Sequence, residues 1–216
     1  MRSFQRAVEL GCAMVECDVR RALDGVLVLA HDGHVTDAKG RTYVIAEHAG
    51  EVLQRLDLGA GEGTPTLPEL ARWAQGRCAI MADMKCEGMG VEQAVAQALE
   101  ALPVEAKIVP GAGEESRRVF RTCAPDLPLS LSMNAWEGNL RLAGGGFARL
   151  LSKIDTRAVT WEHPLLTAAR IAALHAQGLH VYAWTVDDPQ IMRRLIADGV
   201  DGIISNRPEL FERVMR

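Results

Sequence analysis

Short apolar or β-branched runs alternate with helical stretches along nearly all 216 residues, and this alternation limits the fold more than any other feature. Strands separated by helices need crossover connections, so the pattern specifies a parallel sheet with helices packed against it. Ser3–Leu10 reads as a helix closed by Gly11, Ala13–Val19 as a strand and Gly25–Ala30 as a second extended run. Cys78–Met84, Ala106–Val109, Leu127–Leu131, Arg157–Trp161, His180–Thr185 and Val200–Ile204 read as further strands. Helices are expected over Val91–Ala101, Glu114–Cys123, Thr167–Gln177, Pro189–Ala197 and Pro208–Met215. Leu140–Leu151 is a broken helical stretch, weakened by Gly144, Gly145 and Gly146. Thr66–Gln75 opens on Thr66-Leu67-Pro68-Glu69, which has the spacing of a capping box. Thr36–Gly63 is polar, Gly-rich and irregular, and loops of that length in compact domains are usually functional or mobile.

With Gly25–Ala30 set aside as the return arm of an excursion, seven strands remain that can line a barrel. A closed (β/α)8 barrel needs one more. The chain opens in a helix, so the strand wanting from that count is the first.

Composition narrows the partners. Apolar residues at 48% and charged residues at 24% suit a soluble globular domain. A net charge of −4 argues against nucleic acid or an anionic membrane, since both reward clustered Lys and Arg. No apolar run approaches the roughly 18 residues of a transmembrane helix. Met1–Glu9 carries charge where a signal peptide would be apolar. The five cysteines are scattered without a C-x-x-C pair, which gives no zinc ribbon or thioredoxin-type site. They read as reduced core residues of a cytoplasmic protein.

Three strand ends carry polar groups where a core strand should be apolar. In Val15-Glu16-Cys17-Asp18-Val19 the period of two puts Glu16 and Asp18 on one face. Paired carboxylates repel unless a proton or a cation sits between them. An edge strand with a solvated charged face is the other reading, and the apolar flanks favour an interior strand. In Met81-Ala82-Asp83-Met84-Lys85, Asp83 and Lys85 share a face. They can complete a metal site and bind an anionic oxygen, or they can form a plain ion pair at the strand end. His31 in Leu29-Ala30-His31-Asp32 has the titration range of a general acid or base, although a histidine at a strand end is often structural. Trp184 either walls a small-molecule pocket or packs in the core. Glu162 and His163 are weaker candidates for the pocket rim. His34 and His48 read as surface residues, and His175 as a structural one on a helix.

Taken in order, these segments resemble the glycerophosphodiester phosphodiesterase family. Glu16-Cys17-Asp18-Val19, Asp24-Gly25-Val26 and His31-Asp32 look like its E-x-D-V, D-G and H-D elements. Pro65-Thr66-Leu67-Pro68-Glu69-Leu70 looks like P-T-L-x-E-x-L, and Asp83-Met84-Lys85 stands where E-I-K is usual. Trp184-Thr185-Val186 and Gly199-Val200-Asp201-Gly202-Ile203-Ile204 match W-T-V and G-x-D-G-I-I. The resemblance implies a single α/β domain over 1–216: a TIM-type (β/α)8 barrel, here short of its first strand, with a small insertion (36–63) after the second. It implies one divalent cation, Mg²⁺ or Ca²⁺, held by the equivalents of Glu16, Asp18 and Asp83. Lys85 would hold a phosphate oxygen, and His31 would act as one of two acid/base histidines. The implied reaction hydrolyses a small-molecule glycerophosphodiester to an alcohol and glycerol 3-phosphate.

Two departures accompany the resemblance. Asp83 replaces the usual Glu and shortens that ligand by one methylene. The family's opening H-R-G and E-N-T are not present, so either the start is misassigned or truncated, or the chain is a degenerate member. Loss of one of two acid/base groups is expected to cost on the order of 10²–10⁴ in rate. Open strand edges would invite association into a homo-oligomer. Two other functions fit the same residues: a non-catalytic barrel that binds a phosphate ligand or a protein, and a phospholipase D-like lyase.

Overall fold

The computed structural model describes residues 1–153 and 155–214, which divide into two compact units, Met1–Leu127 and Pro128–Arg216. Unit 1 runs α1 (Arg2–Glu9), β1 (Met14–Arg21), β2 (Leu27–Leu29), β3 (His34–Thr36), β4 (Thr42–Val44), α2 (Gly50–Gln54) and α3 (Leu67–Ala74). It continues with β5 (Ala79–Met84), α4 (Val91–Leu99), β6 (Lys107–Ile108) and α5 (Glu114–Cys123). Its main sheet has the order β2-β1-β5-β6, in which β1, β5 and β6 are parallel and β2 returns antiparallel to β1.

Unit 2 runs β7 (Ser130–Met133), α6 (Ala135–Leu142), α7 (Gly146–Leu151), β8 (Ala158–Glu162), α8 (Ala168–His175), β9 (His180–Trp184), α9 (Pro189–Asp198), β10 (Gly202–Ile203) and α10 (Phe211–Val214). Its sheet, β10-β9-β8-β7, is parallel throughout. The described residues therefore contain seven strands in parallel ladders, as the sequence pattern predicts, with β2 as the antiparallel return arm. Among those residues no helix is long and apolar enough to cross a membrane.

The alternation in β1 decides which face is core. Val15, Cys17 and Val19 are buried, whereas Glu16 and Asp18 on the opposite face are half-buried. In unit 2, Val159, Trp161, Val181 and Ala183 are fully buried and join Met133, Leu174, Met192 and Leu195 in one core. Helix starts follow their local chemistry. Thr66 Oγ1 accepts the Glu69 N–H and the Glu69 carboxylate accepts the Thr66 N–H at 2.9 Å, completing the capping box. Such a cap stabilises a helix by about 1 kcal/mol.

The structure departs from the sequence pattern in four places. Thr36–Gly63 is ordered rather than irregular. Strands β3 and β4 form a hairpin whose turn is held by the buried Asp37 carboxylate, which accepts the N–H groups of Lys39 and Arg41 and the Arg41 guanidinium. Val35, Ile45 and Leu53 pack with Ala22 and Val28 in a small core beneath it, so apolar residues too widely spaced for periodicity still find partners. Strand β7 starts at Ser130 rather than Leu127, since Pro128 has no N–H to give a ladder. In the broken stretch, α6 begins earlier, at Ala135, where Asn134 Oδ1 accepts the Glu137 N–H. Finally, the C-terminal stretch is a 3₁₀ turn, Pro208–Leu210, followed by α10, and Met215 lies outside the described residues.

Candidate metal centre and active site

Strands β1 and β5 pair in parallel with Asp18 opposite Asp83 and Glu16 opposite Met81. Registered partners on neighbouring strands face the same side, and Glu16 lies two residues before Asp18, so three carboxylates converge at one end of the sheet. Their ligand oxygens all lie within 4.8 Å of one another. Lys85 continues the line of β5, and its N–H donates to Val19 O at 3.0 Å. Its ammonium nitrogen is 2.7 Å from Asp83 Oδ2 and 3.1 Å from Asp18 Oδ1. Gly111 abuts the cluster in a left-handed conformation (φ +77°), and a Cβ there would stand 2.2 Å from Asp83 Oδ1.

Charge is out of balance in this cluster. Burial, and then the negative charges of Asp18 and Asp83, push Glu16 up to about 8. Burial likewise raises Asp83, although Lys85 pulls it down. Burial works against the Lys85 ammonium, yet its bonds to Asp83 and then to Asp18 hold its pKa above the ordinary lysine value. The two partners are thus raised for different reasons: burial penalises the Asp83 charge, and two carboxylates surround the Lys85 ammonium. A hard divalent cation fits such a set, because oxygen donors suit it and its second positive charge supplies what one lysine lacks.

Glu16 and Asp18 open onto a cleft of about 440 Å³ that is also lined by His31, Glu62, Phe4 and Pro65. His31 follows β2, and its side chain is 80% exposed. Its Nδ1 lies 2.9 Å from Asp32 Oδ1, a hydrogen bond that lowers the Asp32 pKa. Ala30, just before it, donates its N–H to Asp18 O at 3.0 Å. The structure thus brings Glu16, Asp18, Asp83 and Lys85 together, with His31 on the same cleft.

Trp184 belongs to unit 2, at the end of β9. It is half-buried, and its indole N–H donates to Thr160 O at 2.7 Å. Glu162 stands beside it in register and accepts the Ala135 N–H at the start of α6. His163 opens a 3₁₀ turn, His163–Leu165. His34 is exposed, His48 bonds Val44 O through Nδ1, and His175 pairs with Asp201 at 2.9 Å.

Three residues near the site are not marked by the sequence motifs: Glu62, which lines the cleft, Arg20, which bonds the His31 carbonyl, and Gly111, which abuts Asp83. Arg20 extends the alternation of Glu16 and Asp18 by one further step, a signal present in the sequence. Gly111 carries no such signal, because its role depends on the neighbouring strand.

The family model for the glycerophosphoryl diester phosphodiesterase family matches residues 1–210. The "probable glycerophosphodiester phosphodiesterase 2" of Mycobacterium tuberculosis is 30% identical, in an alignment covering 100% of this chain and 84% of that protein. The chain is also similar to the structure of an Oleispira antarctica phosphodiesterase in complex with the product sn-glycerol-3-phosphate (TM-score 0.84, 20% identity, 99% and 89% coverage). A glycerophosphodiester phosphodiesterase from Thermotoga maritima gives a TM-score of 0.79 at 20% identity, covering 99% of this chain and 89% of the other. These likenesses show the fold, a TIM-type α/β barrel. Matched over almost its whole length, the chain belongs to the glycerophosphoryl diester phosphodiesterase family.

Proposed function

We propose that this chain hydrolyses glycerophosphodiesters to an alcohol and glycerol 3-phosphate with the aid of one divalent cation, Mg²⁺ or Ca²⁺. The observation that carries this reading is the convergence of Glu16, Asp18 and Asp83 within 4.8 Å, with Lys85 touching two of them, in a chain of this family. The three carboxylates would hold the cation, which when bound supplies electrophilic stabilisation of charge on the phosphoryl oxygens.

The remaining chemistry falls to side chains. The Lys85 ammonium would donate a hydrogen bond to a non-bridging phosphate oxygen, and that bond tightens as negative charge grows in the transition state. His31 would move a proton, taking it from the attacking water or giving it to the departing alkoxide, with Asp32 at 2.9 Å orienting the imidazole. Its exposure keeps the ring free to meet a substrate entering the cleft. Trp184, its indole N–H held by Thr160 O, would offer apolar surface to the glycerol or alcohol carbons. We read 1–216 as one barrel domain, since the family match runs through both units. The five free cysteines support a reducing, cytoplasmic setting.

A coupled assay for glycerol 3-phosphate tests the reading. Release from a glycerophosphodiester is expected with Mg²⁺ or Ca²⁺, and loss of release with EDTA or in Asp18→Asn. Cation-induced thermal stabilisation without any product would instead mark a site kept for binding.

A further inference from the structure

Arg20 follows Glu16 and Asp18 on the same face of β1 but makes no ion pair among the described residues. Its guanidinium turns to backbone instead. Nε lies 3.2 Å from Ala30 O and 3.0 Å from His31 O, and Nη2 lies 2.6 Å from His31 O. Two N–H groups of one rigid fork thus converge on the carbonyl of His31. These bonds are charge-assisted, and their geometry needs a guanidinium rather than an ammonium.

His31 has few other ties. It lies past the end of β2, and residues 31–33 are bends outside any ladder. Its imidazole bonds Asp32, which is its own chain neighbour and moves with it. Among the described residues, Arg20 is the one group beyond that pair that hydrogen-bonds His31. The strand that carries two of the carboxylates therefore also sets where the His31 backbone sits, through a side chain rooted two residues past Asp18.

We infer that Arg20 is a positioning residue: it locks the His31 carbonyl to β1 and so fixes the imidazole relative to the carboxylate cluster. The inference rests on the acid/base role proposed for His31. A misplacement of about 1 Å at a reacting group can cost about 100-fold in rate, so the expected effect is large for a residue that need not touch substrate.

The test compares Arg20→Gln, Arg20→Lys, His31→Ala and the double variant Arg20→Gln/His31→Ala with the unaltered chain. Arg20→Gln is expected to lower kcat by about 10- to 100-fold with KM unchanged, and Arg20→Lys to fall between it and the parent. In the double variant kcat should match His31→Ala, since no imidazole remains to be positioned. Exchange of the Ala30 amide, whose N–H bonds Asp18 O beside the clamp, should quicken in Arg20→Gln, while cation-induced stabilisation stays as in the parent.

An unchanged kcat and unchanged exchange in Arg20→Gln would overturn the inference. So would a raised KM at constant kcat, which would make Arg20 a direct phosphate ligand. A double variant slower than His31→Ala by the full Arg20→Gln factor would overturn it as well. If His31→Ala retains full kcat, the acid/base reading of His31 fails instead, and exchange of the Ala30 amide still decides whether the clamp exists.

Discussion

Glu16→Gln should stabilise the cation-free protein at alkaline pH while removing its response to cations. In the folded chain Glu16 is raised from 4.5 to about 8, chiefly by burial and then by Asp18 and Asp83. Below pH 4.5 both folded and unfolded chains keep the proton, and no stability is lost. Between 4.5 and 8 the unfolded chain releases it and the folded chain does not, so stability falls as pH rises. About 3.5 pH units at about 1.4 kcal/mol each set a ceiling near 5 kcal/mol, and a realised loss of about 2–3 kcal/mol allows for relaxation of Lys85 and entry of water. A neutral amide of the same shape escapes that loss. At about 2–4 °C per kcal/mol for a chain of this size, Glu16→Gln in EDTA should melt roughly 5–10 °C above the parent at pH 8 and level with it at pH 4.5. Thermal unfolding at stepped pH, repeated with excess Mg²⁺ or Ca²⁺, reads both effects. Parallel melting curves for the two proteins across pH 4.5–8 would refute the reasoning, since the electrostatic load would then not sit on Glu16.

Other perturbations separate the roles of its neighbours. Lys85→Met should lower kcat by about 10²–10³ through loss of a phosphate contact, and destabilise the cation-free fold by about 1–2 kcal/mol because Asp18 and Asp83 then repel unshielded; kinetics and melting read the two effects apart. Gly111→Ala places a methyl group 2.2 Å from Asp83 Oδ1 and 2.7 Å from Met84 O, so calorimetric cation affinity should fall at least 10-fold, with a stability loss of about 2 kcal/mol or more. Burial works against the Asp201 charge, but the Val181 N–H, His175 and His180 hold its pKa below the usual carboxylate value. Its stabilisation is therefore present above the unfolded pKa near 3.8 and lost as pH falls through the folded value, and Asp201→Asn should flatten the acid limb of a melting-versus-pH curve.

Most of the barrel strands are visible in the sequence because parallel interior strands are short apolar runs with sharp boundaries. Glu16 and Asp18 stand out for the same reason: two carboxylates at a spacing of two interrupt such a run, and Asp83 and Lys85 repeat the signal one βα unit later. Their meeting is a matter of register, Asp18 opposite Asp83, which no local pattern specifies. The β3–β4 hairpin, 34–44, is not legible in the sequence because its strands are three residues each, too short for period-two alternation, and its order comes from the buried Asp37 in the turn. The start of β7 was displaced by Pro128, a backbone effect that apolar composition hides. Arg20 reads as one more charged residue until its partners are seen to be backbone carbonyls, and Gly111 matters through a carboxylate on another strand.

The most direct test of the central claim follows a glycerophosphodiester by phosphorus NMR in the presence of this protein, with and without divalent cation. The account predicts that the diester resonance gives way to that of glycerol 3-phosphate, a monoester, only when cation is present. A persistent diester signal would contradict it, and accumulation of a cyclic phosphate would show a lyase in place of a hydrolase.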